Sequence, residues 1–142
     1  MLSRKAKYAL KALVQLARAA PEQLTSAELA NRTGAPRKFL EMILTELVRE
    51  GLITARRGKG GGYCLGRPAT QVSFAEVIRI TDGPLALAPC VSKTAFAKCA
   101  DCVDLESCSL RPVLQQVRDA TAAALELYTL QAAVQQGRPI LD

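Results

Sequence analysis

Two short amphipathic helices separated by a glycine are the pattern that most constrains this fold. The segment Thr25-Ser26-Ala27-Glu28 is a capping box, in which a hydroxyl accepts a backbone amide and the glutamate reaches back, so it predicts a helix start. That helix ends at Gly34, and a second one follows with Pro36 in its first turn, where proline is tolerated. The second helix runs to about Glu50 on an apolar stripe of Phe39, Leu40, Ile43, Leu44, Leu47 and Val48. Two such helices joined by a tight turn predict a helix-turn-helix.

A glycine-rich basic loop follows the second helix. The segments 52–55 and 63–65 are short and β-prone, and between them lies Arg56-Arg57-Gly58-Lys59-Gly60-Gly61-Gly62. A hairpin with such a tip is typical of a wing, because glycines let the backbone approach a groove and the cations neutralise phosphate charge. A nucleotide-binding loop is excluded, since the G-x-x-x-x-G-K-[ST] spacing is missing and no helix follows.

Further helices are predicted on either side of this unit. Ser3 caps a helix that runs to about Ala19. A second capping box, Ser73-Phe74-Ala75-Glu76, opens a short helix that residues 81–84 end. Residues 85–108 show no sustained periodicity, which predicts an irregular loop.

A long final helix is predicted to begin near Ser109. Its apolar residues mostly recur at alternating steps of three and four, the seam of two packed helices, and are Leu110, Val113, Val117, Ala120, Ala124, Leu127 and Val134. Leu114, Leu125 and Leu130 widen this stripe beyond what one small domain needs. We therefore expect the helix to form a homodimer, and packing on its own domain is the alternative.

Together these elements predict a mainly α fold with a small β-hairpin. Its parts are a winged helix-turn-helix DNA-binding domain at 1–83, a cysteine-bearing sensor loop at 84–108, and a dimerisation helix with a tail at 109–142. No apolar run approaches the roughly 20 residues that span a bilayer, and no signal peptide precedes the amphipathic start. We therefore expect no membrane partner and a cytoplasmic location.

The net charge of +6 is unevenly distributed along the chain. Residues 1–67 carry 13 basic and 5 acidic side chains, whereas residues 68–142 carry 6 and 8. This asymmetry indicates a polyanion partner for the first half, although a solvated basic face would give the same count. The absence of His excludes Ser-His-Asp and Cys-His catalysis, and we predict that the chain is not an enzyme.

The candidate DNA-binding residues lie on the second helix of the helix-turn-helix and at the wing tip. The first turns of that helix enter the major groove, and here they present Arg37, Lys38 and Glu41. Arginine or lysine pairs with guanine and a carboxylate accepts from cytosine, so Glu41 is either a base reader or turned to solvent. Arg57 and Lys59 enter the minor groove or bind phosphate. The predicted partner is double-stranded DNA, and a winged helix that works only in protein assembly is the alternative.

Four of the five cysteines fall within 19 residues, spaced Cys90-x8-Cys99-x2-Cys102-x5-Cys108. In a reducing compartment, clustered thiols indicate metal or redox chemistry more often than structural disulfides. Thiolates from a flexible loop suit an iron–sulfur cluster. A structural zinc site typically uses two pairs of closely spaced ligands, and here only Cys99 and Cys102 form such a pair. Formation of two disulfides under oxidation is a further alternative. Cys64, on a predicted wing strand, is expected to be structural.

The order of these parts resembles the IscR/NsrR-type family of bacterial winged-helix regulators. The most specific piece is Arg57-Gly58-Lys59-Gly60-Gly61-Gly62-Tyr63, and the resemblance covers nearly the whole chain. It implies a homodimeric transcription factor that binds palindromic operators, in a family where many members sense iron–sulfur status, nitric oxide, redox state or iron. By position, the family's base-contacting residues fall on Pro36, Lys38 and Glu41, and its minor-groove arginine on Arg57. Because proline has no side-chain donor, the operator sequence cannot be borrowed from other members.

The resemblance also implies a cofactor. Cluster-binding members commonly use three loop cysteines and a fourth ligand that is not cysteine, sometimes a histidine or a carboxylate from the partner's first helix. This chain has no His, and its first acidic residue is Glu22. The additional loop cysteine is the simplest fourth ligand, so a 4Fe–4S cluster is expected rather than a 2Fe–2S cluster. Cys90, Cys102 and Cys108 align with the family's three and leave Cys99 as the extra.

The predicted function is therefore a homodimeric transcriptional regulator whose operator binding is controlled by this cluster. The alternative is a cluster-free regulator of the same fold that uses its cysteines as a thiol switch or a zinc site. An iron–sulfur electron carrier is a third class, but such a protein seldom needs a basic wing.

Overall fold

Helix α1 (Arg4–Ala19) lies at the centre of the fold in the computed structural model, which describes residues 1–136. Ser3 caps it as predicted, because its hydroxyl accepts the Ala6 amide at 3.0 Å. The carboxylate of Asp82 accepts the backbone amide of Ser3 at 2.9 Å and also binds its hydroxyl. The buried face of α1 includes Ala9, Leu13, Val14 and Leu16.

Helices α2 (Ser26–Thr33) and α3 (Arg37–Arg49) form the predicted helix-turn-helix. The capping box is formed in both directions: the Thr25 hydroxyl accepts the Glu28 amide at 3.1 Å, and the Glu28 carboxylate accepts the Thr25 amide at 2.7 Å. Pro36 is the N-cap of α3 and so precedes the helix, whereas the sequence placed it in the first turn. Proline suits this position because its carbonyl accepts the Leu40 amide at 2.9 Å while no amide is required of it.

The wing consists of strands β1 (Ile53–Arg56) and β2 (Gly62–Leu65). They pair antiparallel with Ile53 opposite Leu65 and Arg56 opposite Gly62. Leu24, just before α2, extends this pairing, since it exchanges backbone hydrogen bonds with Tyr63 at 3.0 and 2.7 Å. The wing is thereby fixed to the helix-turn-helix at its base.

Helix α4 (Phe74–Asp82) follows a short 3-10 turn, Ala69–Gln71. Ser73 caps α4 through the Glu76 amide at 3.2 Å, but the reciprocal half of the predicted capping box is not formed. The Glu76 carboxylate instead pairs with Arg67. A charged donor makes a stronger hydrogen bond than a neutral amide, which accounts for the difference.

The predicted final helix is divided into two. Helix α5 (Arg111–Leu127) ends at Tyr128, and α6 (Leu130–Gln135) begins after Thr129, whose hydroxyl caps it through the Ala132 amide at 3.1 Å. The chain between them pairs with the segment before α4: Phe74 donates to the Tyr128 carbonyl at 2.8 Å and Leu130 to the Val72 carbonyl at 2.9 Å.

Because of this break, Leu130 does not continue the stripe of α5. Its side chain is 0% exposed in the core beside α1, and Val134 packs against the same core. A single helix through Val134 was therefore a wrong prediction, since the threonine cap and the paired backbone outweigh the apolar periodicity. The tail of the predicted 109–142 segment, residues 137–142, lies outside the described residues. No helix within residues 1–136 is long and apolar enough to cross a membrane.

Between α4 and α5, the chain is irregular apart from one 3-10 turn, Pro89–Val91. This agrees with the loop predicted for residues 85–108. The loop carries four of the five cysteines and lies against α5, so the fold places it between the winged unit and the helix predicted to form the dimer.

Candidate nucleic-acid interface and thiol pocket

The first turn of α3 presents an exposed basic face. Pro36, Arg37 and Lys38 are all exposed at its start. Within residues 1–136, the Lys38 ammonium has no ion-pair partner, so it is available to a base edge or a phosphate. The helix N-terminus also favours anions, which adds to the attraction for phosphate.

Glu41 has a role that the sequence did not reveal. Its Oε1 accepts a hydrogen bond from Ser26 Oγ at 3.2 Å and another from Arg37 Nε at 3.1 Å. The sequence predicts either base reading or exposure to solvent for Glu41, and base reading stays a prediction. In the structure the side chain is 44% exposed, and its carboxylate links α2 to α3 and holds the Arg37 side chain. Ser26 was missed because nothing in its own sequence position signals a contact 15 residues away.

The wing tip presents two cations on a backbone that only glycine can form. Arg57 and Lys59 are exposed. A Cβ at Gly61 would lie 2.2 Å from the Arg56 carbonyl oxygen, and one at Gly62 would lie 2.8 Å from the Leu24 carbonyl oxygen. Atoms cannot approach this closely, so the glycines are required for the tight tip and for its attachment beside α2.

A groove of about 290 Å³ separates the wing from α3. Its walls include Thr45 and Val48 on the helix and Arg56 and Arg57 on the wing. The exposed Arg56 was not predicted as a site residue, although its neighbours in the basic tip were the available signal. The structure thus places Arg57, one of the two predicted wing cations, across a groove from the later turns of α3, whereas Lys59 and the predicted residues of the first turns of α3 do not line it.

The four loop cysteines line a single pocket of about 330 Å³. Cys90 is buried in the 3-10 turn, whereas Cys99, Cys102 and Cys108 are half-buried around it. The pocket wall also includes Asp101, Asp104, Leu105, Arg111 and Leu114. Residues separated by up to 18 positions are therefore gathered at one place, as their spacing predicted.

Cys90 and Cys99 line the same pocket, and their thiols influence each other. Burial raises the pKa of the Cys90 thiol above its usual value, and a hydrogen bond with Cys99 raises it further. Among residues 1–136, no three Cys, Asp or Glu side chains converge closely enough to hold a single metal ion. The four sulfurs border a common space rather than point to one centre.

Cys64 is separate from this group. It lies on β2, half-buried, and its Sγ is 3.0 Å from the Thr54 hydroxyl on the opposite strand. Thr54 and Cys64 are direct partners in the strand register. This contact agrees with the structural role expected for Cys64.

The comparisons with known proteins decide the family. A family model described as Rrf2, an iron-dependent transcriptional regulator, matches residues 2–136. The chain belongs to the Rrf2 family. It is 40% identical over 143 residues to an rrf2-like HTH-type transcriptional regulator of Rhodobacter capsulatus, a match that covers 98% of this chain and 95% of that protein. It is also 31% identical over 141 residues to protein aau3 of Rhizobium meliloti, covering 99% and 88% of the two chains.

Solved structures agree on the fold of this Rrf2-family chain. CymR of B. subtilis, described as the global cysteine regulator, has a TM-score of 0.79 at 23% identity, covering 96% of this chain and 97% of that one. IscR of T. potens has a TM-score of 0.76 at 20% identity, covering 100% and 91%. At these identities the likeness concerns the fold, and it confirms the predicted winged helix.

The Rrf2 assignment confirms the resemblance stated from the sequence. Members of this family are transcriptional regulators that bind DNA, and they are not enzymes. The chain is accordingly a transcriptional regulator.

Proposed function

We propose that this Rrf2-family chain is a homodimeric regulator of a palindromic operator, and that an iron–sulfur cluster held by Cys90, Cys99, Cys102 and Cys108 controls its DNA binding. The observation that carries the proposal is the gathering of all four loop thiols around one pocket beside α5. A winged helix supplies DNA recognition, and the pocket supplies a place for the signal.

DNA recognition is assigned to α3 and the wing tip. Lys38 reads a base edge in the major groove, while Glu41 orients Arg37 toward the same groove through their 3.1 Å contact. Pro36 at the helix start contributes an apolar contact, because it has no side-chain donor. Arg57 and Lys59 at the wing tip bind the minor groove or its phosphates.

We expect Lys38→Ala to weaken operator binding by about 1–3 kcal/mol and to relax specificity at one base pair, as loss of a base-reading cation does. Arg57→Ala is expected to reduce the salt dependence of binding, because each phosphate contact contributes a slope of about −0.9 in log affinity against log salt. Fluorescence anisotropy with labelled operator at several salt concentrations measures both effects. Lys98→Ala, which removes an exposed lysine from the cysteine loop, is the matched control and leaves affinity unchanged. If Lys38→Ala keeps the wild-type affinity and Arg57→Ala keeps the wild-type salt dependence, the assignment is contradicted.

The dimer is assigned to the outer face of α5. None of its residues is fully buried within residues 1–136, and Leu110, Val113, Val117 and Leu127 are all exposed. Met1, Leu2 and Leu87 extend this apolar surface at the start of α1 and in the loop. A regulator that binds a palindromic operator is expected to be a two-fold dimer. This exposed apolar stripe can pack against the same stripe of a second copy.

The pocket residues fit an iron–sulfur cluster better than a single zinc ion. Zinc requires four ligands at about 2.3 Å from one point, whereas no three candidate ligands converge in this way among the described residues. In a 4Fe–4S cluster each thiolate binds a different iron, so sulfurs spread around a pocket are the appropriate donor set. Bound there, the cluster would supply iron that responds to oxidation, nitric oxide or iron supply. The chain's own contribution is to hold the four thiols and to shield them on the α5 side.

The test is the metal content of protein purified without oxygen. We expect about four iron and four sulfide per chain in the wild type, because four thiolates match that cluster. Replacement of Cys102 and Cys108 by serine is expected to remove the iron and the visible absorption. Cys64→Ser is the matched control, since that thiol bonds Thr54 on the wing and should retain the cluster. Zinc in place of iron, or equal operator affinity with and without the metal, would overturn the proposal.

A thiol switch is the second candidate, and the presence of Cys90 and Cys99 in one pocket favours it. Oxidised glutathione would accept the two electrons as the two thiols lose their protons and form one disulfide, releasing two molecules of reduced glutathione. Mass spectrometry of metal-free protein treated in this way identifies the pair. A Cys90–Cys99 disulfide that changes operator affinity, in a chain that binds no iron, would favour this function over the cluster.

A further inference from the structure

The 3-10 turn Pro89–Val91 and the Ser92 that follows it carry buried side chains in a loop that is otherwise exposed or half-buried. Cys90 is 6% exposed, Val91 1% and Ser92 6%, whereas residues 93–98 are exposed. The Ser92 hydroxyl accepts the backbone amides of Thr94 at 3.3 Å and Ala95 at 2.9 Å, which closes the end of the turn. Cys90 is therefore the most deeply buried of the four pocket thiols.

Two arginines of α5 bind this turn from its carbonyl side. Arg118 Nη1 donates to the Val91 carbonyl at 2.7 Å, and Arg111 Nε donates to the Cys90 carbonyl at 3.5 Å. The two arginines are seven residues apart, about two helical turns, so they lie on one face of α5. Because the 3-10 turn ends at Val91, no later helical residue among those described donates a backbone amide to the Cys90 and Val91 carbonyls. Arginine suits this task, since it is always charged and carries five N–H donors.

Arg118 is itself held by Asp119, which also pairs with Lys93. Asp119 Oδ1 lies 2.8 Å from Arg118 Nε and 3.3 Å from Lys93 Nζ. The Arg118 side chain is only 15% exposed. Its hydrogen bond lowers the pKa of the Asp119 carboxyl, with a further contribution from Lys93. The network joins α5 to the turn and to the residues that follow it.

We propose that Arg118, assisted by Arg111, is a positioning residue that locks Cys90 against α5 and links the thiol pocket to the dimer surface. Val113 and Val117, which carry the apolar stripe, lie in the part of α5 that the two arginines bracket. A displacement of the Cys90 turn therefore acts on the helix segment that contacts the second copy. The link to the dimer rests on the proposed function, whereas the locking of Cys90 does not.

The locking is tested on the reduced, metal-free, full-length chain by alkylation with N-ethylmaleimide, followed cysteine by cysteine in mass spectrometry. Arg118→Gln is expected to raise the Cys90 rate by about tenfold, since a charge-assisted hydrogen bond is worth roughly that factor in a local opening equilibrium. The Cys64 rate should not change. The matched control is Arg79→Gln, because Arg79 also links to α5, through Glu126 at 2.8 Å, without a bond to the turn.

An unchanged Cys90 rate, or an equal rise in Arg79→Gln, would overturn the positioning role. If circular dichroism shows that Arg118→Gln does not fold, Arg118→Lys replaces it: the charge is kept, the planar donor fork is lost, and a smaller selective rise at Cys90 is expected. The absence of any rise in Arg118→Lys would again refute the locking.

The link to the dimer has its own readout, the ratio of operator affinities with and without metal. In Arg118→Gln this ratio is expected to fall toward one while the loaded protein keeps its visible spectrum, and an unchanged ratio refutes the link. A wild type that binds no iron would refute the proposed cluster, and with it the link, but the alkylation result on the metal-free chain would still decide the role of Arg118.

Discussion

Replacing both Val113 and Val117 with aspartate is expected to leave the chain monomeric and to weaken operator binding by about a hundredfold or more, because a linked second half-site contributes at least that factor. The two valines are 59% and 38% exposed in the single chain, so the substitutions cost little in its own core. In the proposed dimer the aspartates would bury unpaired like charges in the interface.

Sedimentation equilibrium and anisotropy with a palindromic operator measure the two effects together. The control is Gln116→Asp, an exposed position on the same helix outside the apolar stripe, which introduces the same charge at a similar helix cost. Circular dichroism should show unchanged helix content in all three proteins. A dimer of wild-type affinity in the double variant would mean that another surface mediates association.

Leu130→Ala is expected to lower the free energy of unfolding by about 2–5 kcal/mol, the usual cost of deleting a fully buried leucine side chain. For a chain of 142 residues, this corresponds to a fall in Tm of roughly 10 °C. The side chain is 0% exposed between α6 and the core beside α1, so its removal leaves a cavity inside one subunit.

Thermal unfolding at several protein concentrations distinguishes this role from the one that the sequence suggested. Substitution of a core residue lowers the free energy of unfolding by the same amount at every protein concentration. Substitution of a dimer residue weakens association instead, so its effect depends on protein concentration. Leu127→Ala, at a leucine that is 79% exposed, is the matched control and should change the stability of the subunit little. A small effect of Leu130→Ala, or one confined to low concentration, would place Leu130 in the dimer seam instead.

Short-range rules accounted for most of the winged unit. The Thr25 capping box, the Ser3 cap, the apolar stripe of α3 and the glycine-rich tip each depend on neighbours within a few residues. The structure confirms them, except that Val48 of the predicted stripe is 36% exposed. The thiol pocket was also anticipated, because its cysteines lie close along one loop. Arg118 was not identified as a site residue, since its partner carbonyl is 27 residues away.

The sequence did not predict which groups the polar side chains would bind. Glu41 could be assigned to a base or to solvent from its helix position, but its bond to Ser26 depends on how α2 crosses α3. Similarly, Glu76 had the spacing of a capping box, and the approach of Arg67 redirected its carboxylate. Such choices between competing donors are decided by distances that sequence spacing does not contain.

The sequence by itself determined the identity of the elements, the basic character of the DNA-binding half and the thiol cluster, because helix caps, glycine turns and charge are properties of neighbouring residues. Tertiary structure alone decided where the last helix breaks. Periodicity extended the stripe through Leu130 and Val134, but pairing of residues 128–130 with 72–74 and the cap at Thr129 turn α6 back onto the core. A buried site for Leu130 and partners for the backbone amides exist only once α1 and α4 are in place, and their contribution outweighs a local helical pattern.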